Sequence, residues 1–184
     1  MKNNSLWFII PAIGLLFTLS GTFCVSCLHA YELKARKATI IYDSPDDLEE
    51  FNYNIYLSRS LGNLLKSRRV VTMEDEVRAK VDILVDKVGS VLDMNPKNLH
   101  FTLRIYPSTK GVHDVYMKSY GRKVNYIAFY SMSRKTMYLA VNKVNLRVFA
   151  HEVGHVVVDH YFKVRPPYKI HEVMAQYAEK HITD

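Results

Sequence analysis

The sequence predicts an α+β fold, a single domain in which a small, twisted, mixed sheet packs on helices. Three observations carry this. Short runs rich in β-branched and aromatic residues recur at Ala38–Tyr42, Leu99–Tyr106, Val124–Tyr130 and Thr136–Val141, each of strand length. Longer stretches after Thr72, Asn145 and Pro167 instead space their apolar residues as helices do. Of 184 residues, 48% are apolar and 23% are charged, a balance that supports a packed core and excludes wholesale disorder, a collagen-like repeat or a polytopic membrane protein. The length suits one domain rather than two.

The chain opens on different material. Lys2 is followed by an almost continuously apolar run, Leu6–Leu19, and then by small or weakly polar residues, Ser20–Ala30, while every Asp and Glu lies after residue 30. Residues 1–30 therefore read as a targeting segment. It is either a signal peptide cut after Ser26 or Ala30, or an N-terminal anchor, since the twenty residues Leu6–Val25 match the length that crosses a bilayer. In both cases residues 31–184 are expected to be extracytoplasmic: secreted, periplasmic or tethered to the membrane. Both cysteines, Cys24 and Cys27, fall in the leader, so the domain after it holds no disulfide, no thiol nucleophile and no cysteine-ligated metal.

Along the domain, Ala38–Tyr42 is the first expected strand. Ser44, Pro45 and Asp47 then form a helix start, with a capping hydroxyl, a proline at the first helical position and an acid at the third. Leu48, Phe51 and Ile55 continue one face, and the helix is expected to end near Gly62. Thr72 and Asp75 open a second helix, whose stripe Val77, Val81, Leu84, Val85, Val88 and Leu92 runs to Asp93 before Asn95-Pro96 closes it. Leu99–Tyr106 alternates as a half-buried strand should. Residues 107–123 read as a loop with a short helix around Val112–Lys118, and Val124–Tyr130 with Thr136–Val141 as an antiparallel hairpin. A helix follows from Asn145 to Phe162, Pro166-Pro167 breaks it, and a last helix runs to Ile182.

The chemistry concentrates in residues 151–155, HEVGH. Histidines at i and i+4 lie about 40° apart around a helix, so His151 and His155 can point at one ion, with Glu152 beside them as a base. Neutral imidazoles hold zinc while leaving it net positive, which makes it a strong Lewis acid. The helix supports this: Leu146, Phe149, Val153 and Val157 gather on the side away from His151, His155 and Asp159. Two histidines leave zinc short of a protein ligand. The candidates downstream are Glu172, which a return helix can bring back to the ion, and its neighbour His171. Glu172, Ala175, Gln176 and Glu179 share one face, and Ala175 is small enough to let the two helices approach closely.

HEVGH followed by PPYKIHEVMAQY resembles the gluzincin zinc metallopeptidases, the thermolysin-like group, and most of all their compact peptidase-MA-like members. The metzincin pattern does not fit, because Tyr161 stands where its third histidine would fall and Val158 replaces the glycine of its turn. The resemblance spans about residues 99–182 and implies a zincin-like fold, with zinc (Zn²⁺) held by His151, His155 and Glu172 and Glu152 as general base. It also implies that the hairpin before the motif supplies an edge strand above the metal. Two departures from the pattern stand out. Gln176 occupies the position where larger relatives orient a zinc histidine with an aspartate, which leaves Gln176 or Asp159 as the supporting partner. The twelve residues after Glu172 are too few for the domain that supplies an oxyanion donor in larger relatives, so the donor is expected to be local or absent, with Tyr168 and His171, then Tyr161 and Tyr177, as the local candidates.

The expected function is zinc-dependent hydrolysis of peptide bonds. The alternative is a non-catalytic zinc-containing module of the same fold that binds peptides or envelope partners, and a weaker one is cleavage of a cell-wall peptide cross-link. An extended peptide or protein substrate would add to the edge strand, with Tyr126, Ala128 and Tyr130 as its contacts and Phe129 a further aromatic candidate. The net charge of +7 is scattered over pairs such as Arg68-Arg69, Arg122-Lys123 and Arg134-Lys135, without a nucleic-acid motif, so no nucleic-acid partner is expected. The membrane enters as a partner only through an uncleaved leader.

Overall fold

The computed structural model describes residues 30–184; all but the last residue of the expected leader lies outside the described residues. Five strands form one mixed sheet: β1 (Tyr31–Lys34), β2 (Ala38–Tyr42), β3 (Phe101–Tyr106), β4 (Ala128–Ser131) and β5 (Thr136–Ala140), in the order β1-β2-β3-β5-β4. β2, β3 and β5 run parallel, while β1 and β4 pair antiparallel at the two edges.

Among the described residues six α-helices surround the sheet: α1 (Pro45–Asn54), α2 (Arg59–Lys66), α3 (Met73–Val91), α4 (Thr109–Tyr120), α5 (Leu146–Tyr161) and α6 (Tyr168–His181). Strand alternation divides the core. Ile40, Leu103, Ile105, Met137 and Leu139 face α3 and α5, where they meet Val81, Leu84, Val88, Phe149, Val153 and Val157. Tyr138 and Ala140 face the other way, onto Val112 of α4 and Phe129 of β4. The sheet is therefore covered on both faces, and β4 is left as an open edge beside α5. Among the described residues no helix is long and apolar enough to cross a membrane.

Local chemistry fixes the helix starts. The Ser44 hydroxyl accepts from the Asp46 N–H ahead of α1. Thr72 and Asp75 form a reciprocal capping box, with the Thr72 hydroxyl accepting from the Asp75 N–H (3.1 Å) and the Asp75 carboxylate from the Thr72 N–H (3.2 Å).

Three expectations are corrected. The helix begun at Pro45 stops at Asn54, where the Asn54 side-chain amide donates to the Val141 carbonyl (2.9 Å) and Ile55 leaves helical geometry; α2 is a separate helix, and Gly62 lies inside it rather than at an end. The expected loop over residues 107–123 contains a full three-turn helix, α4, which Gly121 ends in the left-handed region at φ 67°. The edge strand is shorter than Val124–Tyr130. After Ala140 donates to the Ile127 carbonyl, the partner chain turns into a 3₁₀ turn at Val141–Lys143, so residues 124–126 have nothing to pair with. β1 leaves no signal in the sequence, because only Leu33 of its four residues points inward and no alternation is visible.

Candidate active site

Asn145 caps α5, its side-chain oxygen accepting from the N–H groups of Arg147 and Val148 (3.0 Å each). The helix then buries Phe149, Val153, Val156 and Val157 and turns His151, Glu152 and His155 toward the open side of β4. α6 returns antiparallel after the proline pair and packs Ala175 and Ala178 against α5. The contact is tight at Gly154, where an added Cβ would stand 2.8 Å from the Ala175 Cα and 3.3 Å from its Cβ. The glycine of HEVGH and the alanine one turn beyond Glu172 thus set how closely the carboxylate approaches the histidines.

Glu172 Oε1 lies 3.4 Å from His155 Nε2, and Oε2 lies 3.7 Å from His151 Nε2. One ligand atom from each of the three residues falls within 4.8 Å of the others. Ligands about 2.0–2.1 Å from a tetrahedral zinc stand about 3.3 Å apart, so these spacings suit one ion. The donor set, two imidazoles and a carboxylate, suits zinc in kind. The electrostatics agree: Glu152, Glu172 and Glu179 crowd around the two histidines, and the cleft's one cationic side chain among the described residues, Arg165, is paired with Asp159 (3.3 Å). Burial, with Glu172 and Glu179 adding to it, pushes the Glu152 carboxyl up to about 8, against the pull of the Tyr130 backbone N–H. Burial and then the neighbouring His151 hold His155 down at about 4, the neutral state a metal ligand needs. A bound dication would balance this charge.

The supporting partner of His151 is Glu179. Its carboxylate accepts from His151 Nδ1 at 3.0 Å, which leaves the Nε2 lone pair turned toward Glu172. Gln176 is exposed and has no side-chain hydrogen bond to either histidine. The reason is helical phase: seven residues past Glu172 falls about 20° off its line, whereas four overshoots by about 40°. Asp159, 3% exposed at its side chain, sits apart from the imidazoles, with Oδ2 accepting from the Tyr130 hydroxyl (3.0 Å) and Lys135 (2.6 Å) and Oδ1 from Arg165 (3.3 Å). Burial acts to raise its pKa, but the Lys135 and Tyr130 hydrogen bonds outweigh burial and hold it low. Asp159 therefore ties the edge strand and the α5–α6 loop to the active-site helix.

A cleft of about 610 Å³ runs over this cluster and along the open edge of β4, and Tyr126, Ala128, Tyr130 and Tyr168 all line it. The Tyr168 hydroxyl faces Glu172, whose hydrogen bond raises its pKa, and its ring lies parallel to His155 at 6.4 Å. His171 is fully buried, outside the cleft lining, with its ring 6.1 Å from that of His155. Tyr116 and Tyr120 of α4 also line the cleft; the sequence does not single them out, because residues 107–123 read there as a loop with only a short helix.

No protein-family model matches the chain, and no similar protein was found among curated sequences or solved structures. The site nevertheless defines a class: His151-Glu152-x-x-His155 on one helix and Glu172 on the next match the zinc site of gluzincin type, and the mixed sheet packed on those helices is consistent with a zincin-like α+β domain.

Proposed function

We propose that the protein is a zinc metallopeptidase that cleaves extended peptides or proteins laid along β4. One observation carries the reading. Three protein ligands converge on one point, and the remaining side opens into a cleft that Glu152 lines, whereas a structural zinc is closed by four protein ligands. When bound, zinc supplies the Lewis acidity that polarises the scissile carbonyl and acidifies the attacking water.

The chain's own residues do the rest. The ladder hydrogen-bonds Ile127, Phe129 and Ser131 to β5, so the N–H and C=O groups of Ala128 and the C=O of Tyr130 face the open edge and are free to pair with a substrate backbone, while the Tyr130 N–H is turned to Glu152. Glu152, which lines the cleft beside the ligands, takes a proton from the water and delivers it to the leaving nitrogen. Tyr168 is the donor we assign to the oxyanion, because its hydroxyl lies in the cleft wall beside the ligands.

Residues 1–30 would export the domain, residues 31–184, or tether it to a membrane. The reading includes no nucleic-acid partner; in its support, Arg134 is engaged with Ser119 and Tyr138, and Lys135 with Asp159. Comparing wild-type and Glu152→Gln protein at equal zinc loading tests the assignment, with loss of hydrolysis expected in the variant.

A further inference from the structure

The cleft has two walls of opposite character, and β4 separates them. On the α5 side lie His151, Glu152, His155 and Glu172. On the α4 side stand Tyr116, Tyr120, Tyr126 and Phe129. Tyr116 is the hub of the second wall, with ring centroids 4.6 Å from Tyr120, 5.2 Å from Tyr126 and 5.0 Å from Phe129, the last two edge-on at 81° and 83°. Phe129 is in turn stacked on Tyr138 at 4.9 Å, which fixes it from behind. Tyr120 and Tyr126 remain 46% and 45% exposed beside these packed rings. The wall is thus an ordered aromatic surface with two rings free to receive a ligand.

Strand geometry connects this wall to the metal cluster. In β4 the side chains of Ala128 and Tyr130 belong to the α5 side of the sheet, and that of Phe129 to the α4 side. A peptide added to the open edge alternates in the same way. Residues directed to one side meet Glu152 and the ligand cluster; those directed to the other meet the aromatic wall. On this basis, and resting on the peptidase reading above, we propose that the enzyme selects extended peptides that carry a large aromatic side chain on the α4 side of the bound strand, seated against Tyr116, Tyr120 and Tyr126. Among the described residues the wall has no amide or carboxylate side chain of the kind that holds sugar hydroxyls: Met132 and Ser133 complete that end of the cleft. Its chemistry therefore favours an aromatic peptide side chain over a glycan, by edge-to-face and offset contacts between rings.

The test uses the full chain loaded with zinc and a set of Ala/Ser peptides in which a single phenylalanine is moved along the sequence. The cleaved bond should move with the phenylalanine at a constant offset. In Tyr120→Ala and Tyr126→Ala, two exposed positions outside the ligand set, kcat/KM for these peptides should fall about 10- to 100-fold further than kcat/KM for the phenylalanine-free parent. Cleavage that ignores the phenylalanine, or that keeps its preference in both variants, would overturn the proposal and leave the peptidase reading standing. If no peptide is cleaved, calorimetry of zinc-loaded Glu152→Gln with the same set separates the two ideas. Phenylalanine-dependent binding that is weakened by the tyrosine substitutions upholds the subsite without the hydrolysis. Binding of an N-acetylglucosamine oligosaccharide in preference to these peptides, lost in Tyr120→Ala, overturns it in favour of a glycan.

Discussion

Replacing Gly154 by alanine probes the contact that brings the third ligand into place. The new Cβ would lie 2.8 Å from the Ala175 Cα, 3.3 Å from the Ala175 Cβ and 3.4 Å from the Ala178 Cβ. Backbone is the nearest obstacle, so no side-chain rotation relieves it, and α6 must move outward. Such overpacking costs about 1–3 kcal/mol, and the better helix propensity of alanine returns at most about 1 kcal/mol, leaving a net loss of about 1–2 kcal/mol. For a domain of this size that lowers Tm by about 2–8 °C. Glu172 lies one turn before Ala175 on the same helix and moves with it, away from imidazoles now 3.4 and 3.7 Å distant. Zinc affinity should fall about tenfold or more, read by competition with a chelator, alongside thermal unfolding of the metal-free protein. Gly62→Ala is the control: it lies in α2 with no atom within 4 Å of the added Cβ, so it should stabilise slightly and leave zinc binding unchanged. A Gly154→Ala protein as stable as the Gly62→Ala control, with zinc affinity intact, would refute the idea that close approach of α5 and α6 builds the site.

Glu179→Gln should weaken zinc about 10- to 100-fold by withdrawing the charged acceptor from His151 Nδ1, whereas Gln176→Ala should change nothing; chelator competition on both decides which residue supports the ligand. The metal-free protein should lose stability between pH 6.5 and about 8. Glu152 has a folded pKa raised from 4.5 to about 8, so its contribution is present at low pH and lost as pH rises through 8; His155, lowered from 6.5 to about 4, acts in the opposite sense only below 6.5. At about 1.4 kcal/mol per pH unit the unopposed window amounts to about 2 kcal/mol, and denaturant titrations should show that decline in wild type and a flatter profile in Glu152→Gln.

What the sequence revealed and what it hid follow from range. α3 was legible because Thr72 and Asp75 cap it and a one-sided stripe fills it; α5 was legible because its two histidines and its apolar back obey one period. These are relations within a turn or two of chain. The split between α1 and α2 depends on Asn54 reaching Val141, and the length of β4 depends on where β5 stops, both long-range facts. The supporting carboxylate shows the limit most clearly. Glu179 lies on the ligand face of α6 and its phase from Glu172 is better than that of Gln176, but its meeting with His151 depends on how α6 is set against α5, which Gly154 and Ala175 settle by contact. The aromatic wall was hidden for a similar reason, since Tyr116 and Tyr120 meet Tyr126 and Phe129 only once α4 exists and lies beside β4.

The central claim is that Glu152 works on a zinc held by His151, His155 and Glu172, and the most direct measurement is zinc content together with peptide hydrolysis for wild type and Glu152→Gln. The account predicts one zinc per chain in both proteins and a rate lower by about 1,000-fold or more in the variant, because the substitution removes the base and leaves the ligands. Wild-type protein that binds no zinc, or a zinc-loaded Glu152→Gln protein that hydrolyses peptides as fast as wild type, would contradict it.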